Sequence, residues 1–441
     1  MASARKRLVL GMFLLFLSAS GSACGRTPAV RYADNGDFPA LGKELDARAK
    51  GGDLDDGAVR DVAKAVLEHD LARFSGDEGV RRTLALGACA KPIAPALKST
   101  AQGEGDVAAS AAWVLVDSGA IAVDAFTDAH KDDAHPLWRA VATRGLVDAS
   151  EGALRTARAM DGDQHVRLAA VEAAGDAGCA TDFPLLLESA RKDPLLIVRV
   201  DAVRSLARIA SRLDGAGPRS ELVDRLADLW IPGDDALRGA IARAFSVPVL
   251  FDAGGRQQLS NALGREEGHA TVDAASAMLV AGASDGALVL AKLAKHGDDA
   301  VRAHALRLLD PALPTHAEVL VATMAEPKAG APDDANARVI AATALLRAPA
   351  HRAKAIEVLV DLMKRADRIG TEAAVALAEA KDDRARVRLV ADLATPSALR
   401  FRAASALVRL GHPEETRVLL ASADLDVRDG AACSVLASSR P

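Results

Sequence analysis

The chain has 441 residues, of which half are hydrophobic but only 3% are aromatic, and its formal net charge is −5. A core with so few aromatic side chains has to be built from alanine and aliphatic residues, which is typical of closely packed helices. The length alone would suggest about three globular domains. The acidic balance argues against nucleic-acid binding, because the phosphate backbone attracts basic surfaces.

Residues 1–23 have the pattern of a secretory signal peptide. The basic segment Arg5-Lys6-Arg7 precedes the apolar run Leu8–Leu17, and small residues follow as far as Ala23. The apolar run is too short to span a bilayer as a mature helix. We therefore predict an exported protein. Loss of this segment would leave 52 basic against 60 acidic residues, a net charge of −8.

The end of the signal peptide resembles a bacterial lipobox. The four residues are Gly21-Ser22-Ala23-Cys24, with glycine where the pattern usually has leucine. The resemblance implies acylation of Cys24, and Gly25 in place of an aspartate implies sorting to the periplasmic face of the outer membrane. Ordinary cleavage after Ala23 is the alternative. Residues 24–55 are predicted to be a lipidated tether, with one early helix over Ala40–Ala49.

From residue 56 onward, a helix of small residues led by an arginine recurs about every thirty residues. Strong copies are marked by Arg167, Arg199, Arg302, Arg338, Arg400 and Arg428. Weaker copies centre on Arg60, Arg81, Ala108, Arg139, Arg238, Asp273 and Glu372. We call this residue the marker. Apolar residues at −1, +3, +4, +6 and +7 from the marker form one helical face, and a second amphipathic stretch precedes the marked helix. Acidic residues between the two stretches are expected to cap the marked helices.

The repeated pattern Asp-x-x-Val-Arg-x-x-Ala-Ala-x-Ala-Leu-Gly resembles HEAT repeats of the phycobilisome-lyase type. Residues 163–190 are the best single copy, and the resemblance covers residues 56–441. It implies an all-α fold, a right-handed α-solenoid of roughly eleven or twelve HEAT-like helical hairpins. Such repeats are mostly protein-binding scaffolds, with a few enzymes among them.

Two positions of the marked helix carry predictions. The marker lies at the edge of the apolar face, so its stem should pack while its head group bonds neighbouring loop carboxylates or carbonyls. Position +5 points about 160° away from the apolar face and should be the most exposed. It holds Arg144, Arg204, Arg243 and Arg307, with Glu172 as the acidic exception and with Met278 and Leu377 as interruptions.

The four arginines are candidate partner-binding residues for an acidic protein segment, because a basic stripe speeds encounter with such a partner. The alternative is that each arginine pairs with a carboxylate of the next repeat. Trp113 also occupies +5 and is a further binding candidate, with irregular packing as its alternative.

The remaining sequence offers no catalytic, cofactor or metal site. It contains no His-Glu-x-x-His, Cys-x-x-Cys, Gly-x-Ser-x-Gly or phosphate-binding glycine loop. The spacing of His130 and His135 favours a solvated turn, and the run Asp424–Asp429 favours a helix cap over a calcium loop. The odd number and wide separation of Cys89, Cys179 and Cys433 argue against a disulfide framework, so we expect small buried hydrophobes there.

The sequence therefore predicts a noncatalytic protein–protein interaction scaffold anchored to the bacterial cell envelope. A lyase-like HEAT-repeat enzyme with a pocket on its inner helices is the first alternative. A purely structural spacer is the second. The sequence indicates neither the partner nor the oligomeric state.

Overall fold

The computed structural model describes residues 26–231, 234–265, 268–325 and 334–438. Within these ranges the chain is all-helical and contains no β-strand. The predicted signal peptide and Cys24 lie outside the described residues. In chain order the α-helices are α1 (Pro28–Asp34), α2 (Phe38–Gly51), α3 (Asp56–Leu71), α4 (Gly76–Ala85), α5 (Ala94–Ala101), α6 (Asp106–Asp117), α7 (Asp124–His130), α8 (Pro136–Arg144), α9 (Gly152–Ala159), α10 (Gln164–Ala177), α11 (Phe183–Lys192), α12 (Leu196–Ile209), α13 (Ala216–Ala227), α14 (Asp235–Phe245), α15 (Pro248–Leu250), α16 (Arg256–Arg265), α17 (His269–Val280), α18 (Ser284–His296), α19 (Asp299–Leu308), α20 (Pro314–Met324), α21 (Ala335–Leu345), α22 (Pro349–Leu362), α23 (Arg368–Glu379), α24 (Arg386–Leu393), α25 (Leu399–Leu410), α26 (Arg417–Leu420) and α27 (Leu425–Ser438).

The chain divides into two compact units. Unit 2, residues 75–388, is α-solenoid-like and consists of successive helical hairpins. The second helices of the hairpins are α6, α8, α10, α12, α14, α17, α19, α21 and α23, and each packs against the next in this order. The first helices, α5, α7, α9, α11, α13, α16, α18, α20 and α22, each pack against the second helix that follows. The second helices thus form one continuous layer.

Local sequence explains where the second helices begin and how closely they pack. Asp163 caps α10 by accepting hydrogen bonds from the backbone N–H groups of His165 and Val166, at 2.8 and 3.4 Å, which confirms the predicted capping role. Gly175 of α10 faces Ser205 of α12 so closely that an added Cβ would lie 2.7 Å from the Ser205 Cβ. Small residues at these positions therefore permit the close approach of neighbouring helices.

Two weak copies of the repeat have a different register from the predicted one. In α17 and α23, the burial pattern places the marker at Thr271 and Thr371, not at Asp273 and Glu372. Both threonines are buried, and the residues at +3, +4, +6 and +7 from each are buried as well. Position +5 is then Ser276 and Ala376, which explains why the predicted interruptions Met278 and Leu377 are fully buried rather than exposed. The prediction that Arg81 of α4 is a marker at the core edge is also wrong, because its side chain is exposed and pairs with Glu78.

Unit 1 combines the two ends of the described chain, residues 26–74 and 389–438. Helix α3 packs against α27, α1 packs against α3, and α26 contacts both α2 and α3. The N-terminal helices therefore complete the packing of the C-terminal ones.

The predicted tether over residues 24–55 contains the expected helix over Ala40–Ala49 as part of α2, but residues 28–51 are packed against other helices, which the prediction missed. These residues form α1 and α2, and Ala29, Ala33, Leu41 and Leu45 are fully buried. The apolar face is sparse in the sequence, and the helices that bury it include α26, nearly four hundred residues away. A local pattern could not reveal that partner.

Candidate functional site

The marker arginines fix neighbouring hairpins to each other. In α10, Arg167 donates from Nε to Asp193 of the next repeat at 2.7 Å, and from Nη1 to the carbonyls of Asp161 and Gly162 at 3.0 and 3.1 Å. In α8, Arg139 makes the same arrangement with Asp161. These contacts confirm that the head groups bond loop carboxylates and carbonyls.

Unit 1 repeats this arrangement with a distant partner. Arg428 of α27 donates from Nε and Nη2 to the carboxylate of Asp70 in α3, at 2.7 and 2.9 Å, and from Nη1 to the carbonyl of Ser422 at 2.7 Å. Its guanidinium also lies 3.6 Å from the centroid of the Phe38 ring. Asp70 thus takes the role for Arg428 that Asp193 takes for Arg167.

Position +5 of the second helices gives a row of side chains that are half-buried or exposed, which we call the +5 row. It comprises Trp113, Arg144, Glu172, Arg204, Arg243, Ser276 and Arg307. These residues come from seven successive second helices, α6 to α19. In each helix the residues at +3, +4, +6 and +7 pack against neighbouring helices, which leaves +5 on the outer side. The row brings all five candidate partner-binding residues of the sequence onto one layer.

Trp113 and Arg144 lie together at the start of the +5 row. The Trp113 ring packs on the buried residues Ala140, Val166 and Ala169, so it is half-buried rather than fully exposed. The guanidinium of Arg144 lies 5.5 Å from the centroid of this ring, within cation–π range.

Arg144 is neutralised from both sides. Its Nη1 donates to Glu172 of the next second helix and to Asp117 of the preceding one, the latter at 3.3 Å. Burial raises the pKa of Glu172 to about 7, and the carboxylates of Asp201 and Asp117 add to the rise. The ion pair with Arg144 opposes this shift, but burial is the larger effect. Glu172 therefore exchanges a proton near neutral pH.

The other three arginines of the +5 row are exposed to solvent, and they differ in whether a carboxylate pairs with them. Arg204 bonds Asp201 of its own helix at 2.6 Å, while half of its side chain stays exposed. Burial raises the pKa of Asp273, and the charge of the nearby Arg243 opposes this rise. Arg307 is exposed and has no ion-pair partner in the described part of the chain. The row is therefore a basic stripe that Glu172 and Ser276 interrupt, and two of its arginines, Arg144 and Arg204, are paired with carboxylates.

A pair of histidines next to the +5 row escaped the sequence analysis. His269 of α17 and His304 of α19 approach with their Nδ1 atoms 2.9 Å apart. The Nε2 of His304 lies 3.7 Å from Asp273 Oδ1. Burial raises the pKa of Asp273 and lowers the pKa of His304. The residues are 35 positions apart, so only the correct repeat register could have predicted their contact.

The predictions for the cysteines hold only in part. Cys89 is fully buried as expected, whereas Cys179 and Cys433 are partly buried. The expectation that the cysteines form no disulfide is wrong, because Cys89 and Cys433 are disulfide-bonded, and only Cys179 of the described cysteines is a free thiol.

Two local predictions agree with the structure. Asp424 caps α27 by accepting from the backbone N–H of Asp426 at 3.0 Å. The turn around His130 is held locally, since its Nδ1 lies 2.8 Å from Asp133 and its ring stacks on Trp138.

The described residues contain neither a cluster of metal-ligating side chains nor a membrane-spanning helix. Across residues 26–438 with their three gaps, no three histidine, cysteine or acidic side chains are arranged to hold a metal ion. In the same ranges, no helix combines the length and apolar character needed to cross a membrane.

Comparisons with known proteins define no family. No protein-family model matches the chain, and no curated protein matches it. Among solved structures it matches an engineered protein from the Northeast Structural Genomics Consortium, with 20% sequence identity, over 81% of this chain and 98% of that one. The TM-score is 0.28, so this likeness carries no argument.

Proposed function

We propose that this protein is a noncatalytic scaffold that binds a protein partner along the +5 row. The observation that carries the proposal is the row itself, which takes one side chain from each of seven successive helices and leaves Arg204, Arg243 and Arg307 exposed. A surface repeated once per hairpin suits an extended partner segment. In this proposal the solenoid is right-handed and has roughly eleven or twelve HEAT-like hairpins.

The proposed partner segment is acidic. Arg204, Arg243 and Arg307 are exposed, and half of the Arg204 side chain stays exposed although it pairs with Asp201. A partner carboxylate can therefore add a charge-assisted hydrogen bond to each head group. Binding of this kind is fast at low salt and weakens as salt rises.

The test is the double charge reversal Arg204→Glu/Arg243→Glu, followed by crosslinking pull-down from envelope membranes at low and moderate salt. The matched control is Arg191→Glu/Arg225→Glu, which changes the net charge equally at exposed positions of the first helices α11 and α13. We expect the partner to be lost from the first variant and retained by the control. Equal recovery of every partner by both variants would contradict the proposal.

We also propose that the protein is exported and is anchored by a lipid on Cys24 to the periplasmic face of the outer membrane. The basic and apolar segments of residues 1–23 support export. Labelling with a clickable fatty acid tests the anchor. Wild type should be labelled and Cys24→Ala should not, and equal labelling of the two would refute the anchor.

An enzyme of the lyase-like class is the second candidate. One observation favours it, namely that Glu172 titrates at about pH 7 beside Arg144 and so suits proton transfer. Mass analysis of the captured partner separates the two functions. An enzyme would yield a modified partner with wild type and an unmodified one with Glu172→Gln, whereas a scaffold would yield the same partner mass with both.

A further inference from the structure

Two carboxylates from neighbouring helices enclose Arg144 of the +5 row. Its Nη1 donates to Glu172 of α10 and, at 3.3 Å, to Asp117 of α6. The two acceptors differ in burial, since 20% of the Glu172 side chain and 56% of the Asp117 side chain are exposed. A carboxylate from another molecule therefore has to replace the sheltered contact with Glu172 before it can bind Arg144 fully.

Trp113 gives the same guanidinium a second contact. The Trp113 ring is fixed by packing on buried residues of α8 and α10, and the Arg144 guanidinium lies 5.5 Å from the ring centroid. A guanidinium near an aromatic face is stabilised electrostatically without any carboxylate. Arg144 therefore keeps a partner on the surface when its ion pair with Glu172 is lost.

The charge of Glu172 is set by burial and by side chains of three other second helices. Burial is the largest effect and raises the pKa of Glu172 to about 7. Arg144 of α8 opposes this rise, as does Arg208 of α12. Asp201 of α12 and Asp117 of α6 add to it. The first helices α9 and α11 also pack on α10, from its apolar side and away from position +5. Glu172 thus changes its charge in a pH range in which aspartates of a partner stay ionised.

We propose that Glu172 controls the access of an acidic partner segment to Arg144 by taking up a proton from solvent, so that the +5 row binds this segment more tightly in mildly acidic than in mildly basic solution. The ionised carboxylate holds the guanidinium as an ion pair. The protonated carboxyl has no charge and competes less strongly with a partner carboxylate. By linkage, a partner that binds Arg144 also makes Glu172 take up a proton. This inference rests on the acidic partner of the proposed function.

The first test follows Trp113 in the absence of any partner. Fluorine NMR of the full chain labelled with fluorotryptophan gives one signal for each tryptophan, and Trp113→Phe identifies the signal of Trp113. All proteins carry His165→Gln, because the His165 ring lies edge-to-face with Trp113 and can add a pH response of its own. The Trp113 signal of this parent protein should shift with a midpoint at about pH 7, and Glu172→Gln should remove that shift.

The second test measures binding of a rhodamine-labelled octa-aspartate peptide by fluorescence anisotropy, at about pH 6 and pH 8 and at constant ionic strength. Histidines elsewhere on the protein contribute to any pH dependence, so the parent is compared with Glu172→Gln. The ratio of the affinity at the lower pH to that at the higher pH should be about 3–10-fold larger in the parent. Glu188→Gln removes an exposed carboxylate of the first helix α11 and is the matched control, which should keep the ratio of the parent.

Two results would overturn this proposal and leave the scaffold function standing. One is a Trp113 signal with the same pH response in the parent and in Glu172→Gln, provided that circular dichroism shows both to be folded. The other is peptide binding with the same pH dependence in these two proteins. Failure of the parent to bind the peptide at either pH would instead contradict the acidic partner of the proposed function, and the control by Glu172 would fall with it.

Discussion

Removal of Asp70 should open the packing between the two ends of the chain. Its carboxylate accepts two hydrogen bonds from Arg428, and the exposed fractions of the two side chains are only 2% and 6%. Asp70→Ala leaves a buried guanidinium with one remaining carbonyl partner, that of Ser422. The Phe38 ring beneath it offers no replacement charge.

The expected loss follows from the burial of this pair. Breaking a buried ion pair by removing one partner costs about 3–5 kcal/mol, because the other charge stays desolvated. That loss raises the equilibrium constant for local opening by a factor of about 10² to 10³·⁵. In contrast, Asp70→Ala/Arg428→Met removes both charges and should cost less than the single change, since apolar replacement of a buried pair is often close to neutral.

Hydrogen exchange measured by mass spectrometry is the appropriate assay, because a chain with two units need not unfold in one step. Asp70→Ala should accelerate exchange in peptides from α3 and α27. Asp193→Ala, which removes the equivalent partner of Arg167, should accelerate exchange in α10 instead. Unchanged protection of α3 and α27, or an equal effect of the double variant, would refute the reasoning.

Three further predictions concern unit 2. Arg167→Ala and Arg199→Ala should each lower the melting temperature in calorimetry, whereas Arg204→Ala, whose partner lies in its own helix, should change it little; intact stability with loss of partner binding would show that the marker arginines serve recognition. Because burial raises the pKa of Glu172 from 4.5 to about 7, the folded protein holds a proton that the unfolded chain has released. Stability to urea should therefore fall as pH rises across this window, and Glu172→Gln should remove this part of the decline; an identical pH profile would contradict the assignment. Gly175→Ala should destabilise the protein by about 1–3 kcal/mol in urea unfolding, since the new Cβ meets Ser205, and Ser205→Gly should restore most of the loss; a neutral single variant would count against tight packing there.

The sequence predicts the local fold correctly at several arginine markers, although not at Arg81, which is exposed. At Arg167 and Arg139, a helical wheel places the side chain at the core edge, and the structure bonds it as expected. The same wheel fails in α17 and α23, because small residues on several faces leave the helical phase undetermined without a marker. Thr271 and Thr371 fill that position without any sequence signal.

The candidate site could also be predicted only in part from the sequence. The exposure of Arg204, Arg243 and Arg307 follows from helical periodicity alone. The contacts between side chains of adjacent second helices do not follow from periodicity, because they depend on the exact register of one repeat against the next. The pairing of Arg144 with both Asp117 and Glu172 is one example, and the contact of His269 with His304 is another.

The contact between Asp70 and Arg428 also sets an order of events during synthesis. The two residues are 358 positions apart, whereas Arg167 and Asp193 are 26 apart. Closing the longer loop costs about 2 kcal/mol more in chain entropy. Helix α3 is made early but packs on α27, and α2 contacts α26, so both helices meet partners that are made near the end of synthesis. Apolar side chains such as Leu41 and Val62 therefore lack their final neighbours while most of the chain is made. This exposure favours aggregation of the nascent N-terminal segment.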